Sequence, residues 1–256
     1  MTNSAPSYST SAASAQQRSA AAPGDPADWA AGLVIAVDGP AGSGKSSAAR
    51  GVASTLGLRY LDTGSMYRAV TWWLLDQGTD PADSAAVLAS FRRPALEVGT
   101  DPAGPRISVD GQDVAGPIRT REVSNAVSAV AALPEVRQYL IAQQRQIIAA
   151  ALEAGAGIVA EGRDIGTVVA PDAEVKVFLT ASEAIRAERR SADLAADPRA
   201  TAEVTQREQA RRDRRDAPQM ARAGDAVEID TSALGLDEVI AAIVGLARSR
   251  RTVRRG

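Results

Sequence analysis

The run GPAGSGKS, Gly39 to Ser46, has the spacing G-x-x-x-x-G-K-[ST] of a phosphate-binding loop. Chemistry here belongs to the backbone as much as to side chains. Successive N–H groups surround an anion at the start of a helix, and Gly42 and Gly44 supply positive-φ turns. Lys45 in this position reaches the β and γ phosphates of a nucleotide, and Ser46 can ligate Mg²⁺. The flanks supply the context. LVIAV, Leu33 to Val37, reads as a buried strand, and the alanine-rich stretch from Ser46 to Leu56 as a helix.

Two further constellations carry polar chemistry. In LDTGSMYR, Asp62 and Thr63 end a short strand, and Arg68 falls in the first turns of the next helix. Arg68 either turns toward a phosphate or lies on a surface behind an Asp N-cap; the motif alone fits both. In VAEGRDIGT, Arg163 and Asp164 directly follow a strand, at the edge where open α/β sheets bind ligands. They form either a local turn ion pair or an anion grip beside a carboxylate that accepts hydrogen bonds.

Composition narrows the classes. The chain has 256 residues, 45% of them hydrophobic, and a formal charge of −2. That balance, with 4% aromatic residues, argues against a nucleic-acid partner. No apolar run has membrane-spanning length. Without cysteine or histidine there are no disulfides and no His-based nucleophile systems, and a zinc site is disfavoured. The only lysines are Lys45 and Lys176. A cytoplasmic monomer is expected.

The elements that must position these residues alternate. Strands are predicted at Leu33–Val37, Arg59–Leu61, Ile158–Ala160, Val175–Leu179 and Ala226–Ile229. Helices are predicted at Ser46–Leu56, Ser65–Gln77, Glu135–Ala154, Ala181–Arg190 and Leu236–Ser249. This predicts an α/β fold with a five-stranded parallel sheet. Three short strands between Ala95 and Val114 predict a small antiparallel insert, about 92–118. Residues 1–30, rich in Ser, Ala and Pro, read as a disordered extension, and residues 251–256 as a basic tail. The arginine-dense stretch Asp193–Ala223 reads either as a solvated helix or as a lid over phosphates.

Taken in order, GPAGSGKSS, LDTGSMYR, VDGQDVAGPIRTREVS, PEVR, VAEGRDIGT, DAEVKVFLTAS and DAVEIDTS resemble bacterial-type cytidylate kinases from about Leu33 to Ala247. The resemblance implies a P-loop nucleoside monophosphate kinase over residues 31–250, with an NMP-binding region at 62–134 and a short lid at about 191–220. It implies transfer of the γ-phosphoryl of ATP to CMP or dCMP with Mg²⁺. Gly39, Pro40, Ala41, Gly42, Ser43, Gly44, Lys45, Ser46 and Ser47 would hold ATP. Asp62, Thr63, Arg68, Ser128, Arg137, Arg163 and Asp164 would hold CMP, with Arg68 and Arg163 on its phosphate and Asp164 on the cytosine amino group.

The lid departs from the family pattern R-D-x-x-D-S-x-R before S-P or A-P. Anchored on Ala217-Pro218, the pattern makes Arg207 and Arg214 the lid arginines; a second register uses Arg212 and Asp216. The first register puts Arg207 and Arg214 beside Lys45 and Arg163 as catalytic candidates. No general base is required, because a phosphate monoester is already anionic at neutral pH. A GTP switch would need an N/T-K-x-D motif, which is absent. A shikimate-type kinase fits less well with the β insert and the Arg163–Asp164 turn.

Overall fold

The computed structural model describes residues 30–193 and 202–255. The predicted N-terminal extension, apart from Ala30, and part of the predicted lid lie outside the described residues. Among the described residues a five-stranded sheet has the order β2-β6-β1-β7-β8, and every pairing is parallel. The strands are β1 (Val34–Asp38), β2 (Arg59–Asp62), β6 (Ile158–Gly162), β7 (Val175–Thr180) and β8 (Val227–Asp230). All five fall within a residue or two of their predicted ranges.

Both faces of the sheet are covered, because successive side chains of a strand point opposite ways. Val34 and Ala36 of β1 enter one core, with Met66, Leu74 and Leu140. Ile35 and Val37 enter the other, with Val52, Leu56 and Ile243. The first core lies beneath α2 (Thr63–Asp76), α4 (Arg121–Ala131) and α5 (Pro134–Glu153). The second lies beneath α1 (Lys45–Leu56) and α8 (Leu236–Arg255).

Local chemistry fixes the helix ends. Asp62 caps α2 by accepting from Ser65 N at 2.9 Å. Pro134 opens α5, where its missing N–H costs nothing. The short α3 (Ser84–Ser90) and α4 were not among the predicted helices. At the other end α8 continues past Ser249 to Arg255, so the backbone of the predicted basic tail is helical as far as Arg255.

The insert forms a separate antiparallel sheet of β3 (Leu96–Val98), β4 (Ile107–Val109) and β5 (Gln112–Asp113). Its hairpin turns at Asp110 and Gly111, both at positive φ (50 and 79°), as the tight Asp-Gly hairpin requires. The Asp110 carboxylate accepts from Trp73 Nε1 at 3.2 Å, which ties the hairpin to α2. Two more helices complete the fold: α6 (Glu183–Asp193) after β7, and α7 (Ala202–Asp216).

Candidate active site

The carboxyl ends of β1, β2 and β6 bring the loop Gly39–Gly44, the start of α2 and the turn after β6 to one rim. There they line a cleft of about 230 Å³ whose far wall is α7. Its cations are Lys45, Arg68, Arg119, Arg137, Arg163, Arg190 and Arg212; its carboxylates are Asp62, Glu161, Asp164 and Asp216. The cationic excess suits a polyanion.

The loop turns as its glycines predict, with Gly42 and Gly44 at φ 78 and 86°. Gly39, also at positive φ (143°), is needed for a second reason. A Cβ there would lie 2.1 Å from the Leu179 carbonyl oxygen on β7. Lys45 is buried, and its Nζ donates to the Pro40 carbonyl at 2.6 Å. Burial lowers its ammonium to about 7; Arg163 pushes the same way and Glu161 opposes. The Ser43 hydroxyl is turned onto Pro40 O, and Ala41 O accepts from Arg186.

Glu161 is one of the cleft residues that sequence reasoning does not reach. It lies within the quoted VAEGRDIGT motif, at the carboxyl end of β6, and received no role. It is buried, accepts from Tyr60 Oη at 2.7 Å and bonds to Ser46. Burial, then Asp62, raises its carboxyl, while Lys45 pulls it down. Its position two residues before Arg163, on the ligand-binding rim, was the available signal. Among the described residues no cluster of three metal-ligating side chains occurs. Ser46 and Glu161 are the neighbouring oxygen groups beside Lys45 that could ligate a hard cation.

Asp38 fixes the turn after β6. Its two carboxylate oxygens accept from Ile165 N at 2.7 Å and Gly166 N at 2.8 Å. Burial outweighs those bonds and raises its carboxyl to about 6. The turn so held aims Arg163 and Asp164 into the cleft. Arg163 donates to Gly39 O at 2.8 Å and to Asp216 at 3.2 Å. Asp164 pairs with Arg137, which also donates to Gln219 Oε1 at 2.9 Å. Burial pushes the Asp164 carboxyl up and Arg137 pulls it back.

The other predicted residues converge too. Thr63 Oγ1 donates to Glu161 O at 2.7 Å, and Arg68 to Ile118 O at 3.0 Å. Ser128 donates to Asp216 Oδ1 at 2.9 Å. A second cavity, of about 480 Å³, opens on the other flank of the loop. Gly42 to Ala48 line it with Arg189, Thr231, Leu234 and Leu236.

Arg207 and Arg214, the pair of the first register, lie elsewhere. Both are exposed, and neither lines the cleft. They stand seven residues apart on the outward face of α7, whereas Arg212 and Asp216, four apart, share the inward face with Gln209. Burial, then Arg163, lowers the Arg212 guanidinium to about 10. The second register is therefore the one whose side chains reach the cleft.

The profile of the cytidylate kinase family matches residues 35–249. The chain is 53% identical to a cytidylate kinase of Streptomyces coelicolor, over 88% of this chain and 96% of that one. It is 50% identical to the Streptomyces griseus protein of the same name, over 86% and 94%. It is 45% identical to that of Corynebacterium diphtheriae, over 87% and 98%. With family profile and cleft in agreement, the chain belongs to the cytidylate kinase family.

Proposed function

We propose that the protein transfers the γ-phosphoryl group of ATP to CMP or dCMP, giving ADP and the nucleoside diphosphate. The observation that carries this reading is the single cleft in which Lys45 faces Arg68, Arg163 and Arg212. ATP enters from the loop side, with its phosphates wrapped by Gly39 to Ser47. The flanking cavity, with Leu234 and Leu236, suits its nucleoside.

CMP enters from the α2 and α5 side. Its phosphate lies against Arg68 and Arg163, and its base against Ser128, Arg137 and Asp164. An ionised Asp164 accepts the cytosine N–H₂ and has no proton to offer a uracil carbonyl. Asp216, beside Ser128 on the cleft wall, meets the sugar. The acceptor phosphate attacks as the anion it already is. The task of the site is to align two polyanions and to neutralise the group in transit. Lys45 and Arg212 do the latter. Ser46, with Glu161 and Asp62 in the same cleft, would hold Mg²⁺, which would supply charge neutralisation at the donor phosphates.

Helix α7 is tied over the cleft by side-chain bonds such as Arg163–Asp216, Arg186–Asp213 and Gln209 to the Arg186 carbonyl, which suits a lid, about 191–220, that opens to admit nucleotides. Amide exchange in α7 slows when both nucleotides bind; unchanged exchange contradicts the lid. Among the described residues no helix is long and apolar enough to cross a membrane. A cytoplasmic enzyme is the proposed setting.

The test of the reaction is ADP release over a panel of nucleoside monophosphates, with and without Mg²⁺. CMP and dCMP support turnover, and chelation abolishes it. Equal turnover with UMP or AMP contradicts the reading.

A further inference from the structure

Ser124 on α4 takes no part in the roles above. Its hydroxyl oxygen lies within hydrogen-bond distance of two arginines at once, Arg68 Nη1 at 3.0 Å and Arg190 Nη2 at 2.9 Å. Two guanidinium groups thus converge on an oxygen that brings no charge of its own. A phosphate oxygen fills the same position and supplies the charge.

Arg190 is half-buried and borders the main cleft as well as two adjoining cavities. Its helix, α6, runs beside the phosphate loop. Arg186 donates to Ala41 O at 3.1 Å. Arg189 donates to Thr231 and lines the loop-side cavity. Consecutive residues of α6 therefore serve the two flanks of the loop, Arg189 the donor side and Arg190 the acceptor side. Burial, then Arg212 and Arg190, holds the Arg68 guanidinium below its ordinary range, so cations crowd this point.

We infer that Arg190 is a further acceptor-phosphate residue: it and Arg68 clasp one phosphate group, which displaces the Ser124 hydroxyl as their shared acceptor. This rests on the proposed CMP reaction. No sequence motif singles Arg190 out, since it reads as one more cation on a charged helix.

The test compares Arg190→Gln with the wild type in CMP-dependent ADP release and in binding of CMP and of cytidine, which lacks the phosphate. The variant loses about tenfold or more in kcat/KM for CMP, on the scale of one charge-assisted contact. Its preference for CMP over cytidine falls by a similar factor, while cytidine and ATP affinities hold. An unchanged preference, or equal losses for CMP and cytidine, overturns the proposal. Arg190→Lys keeps the charge but not the planar fork and falls between the two. It is the variant to read should the glutamine form prove unfolded, and a wild-type preference in it overturns the proposal equally. A wild type that shows neither CMP-dependent turnover nor a preference for CMP over cytidine instead refutes the proposed reaction.

Discussion

The phosphate loop and helix α7, the proposed lid, face each other across one cleft, yet different forces hold them. The loop is contiguous backbone between β1 and α1, shaped by glycines at positive φ and by Gly39 against the β7 carbonyl. Helix α7 and the turn that follows it are held by side chains from distant parts of the chain. Arg163–Asp216, Arg137–Gln219, Arg121–Glu208 and Ser128–Asp216 span 53, 82, 87 and 88 residues. A site made of backbone keeps its shape whether or not a ligand is present. One made of ion pairs exchanges partners when a polyanion arrives.

The largest expected effect lies on the loop side. Lys45→Ala lowers kcat by about 10²-fold or more, the scale of losing a transition-state stabiliser. Steady-state kinetics on a variant with wild-type melting checks it, and near-normal turnover removes Lys45 from that role.

On the lid side the contrast is between faces of one helix. Arg212→Gln costs about tenfold or more in kcat/KM. Arg207→Gln and Arg214→Gln, on the exposed face, stay within about twofold. Equal losses for all three erase the distinction between inward and outward faces.

Selectivity gives a third test. Asp164→Asn narrows the CMP-to-UMP ratio of kcat/KM by about tenfold or more, with ATP affinity held. A ratio that does not move takes Asp164 out of base recognition.

The smallest effect is in protons. With Lys45 lowered to about 7 in the free site, much of it is neutral at about pH 8. Nucleotide phosphates raise it again, so ATP binding takes up a proton there and weakens as pH climbs above 7. Calorimetry in buffers of different ionisation heat reads the uptake; none at about pH 8 contradicts it.

The same contrast explains what was legible in the sequence. Strand, loop and helix around Lys45 are local, and short-range patterns found them. Asp62, Arg163 and Asp164 stood out as candidates because they lie at or just after the end of a strand, whereas Arg68, inside a helix, was assigned to phosphate only through the family resemblance. The lid register stayed open because Ala217-Pro218 anchors a linear pattern, whereas entry to the cleft is decided by the face of α7. The inward set Thr205, Gln209, Arg212 and Asp216 is spaced at helical intervals. Those residues are polar, so hydrophobic periodicity could not mark them. Helix α4 escaped because Ser, Asn and Val are weak helix formers. Val123, Val127 and Val130 nevertheless sit at i, i+4 and i+7 and bury one stripe. Glu161 and Asp38 look like ordinary strand-end carboxylates until the fold sets them against Ser46 and the turn after β6.

The most direct measurement uses a bisubstrate ligand, adenosine and cytidine joined 5′ to 5′ through a phosphate chain long enough to span both sites. If one cleft holds both polyanions, it binds far more tightly than ATP or CMP alone, and Lys45→Ala and Arg163→Gln each weaken it. Binding no tighter than that of the better single nucleotide, or weakened by only one of the two substitutions, contradicts a shared cleft.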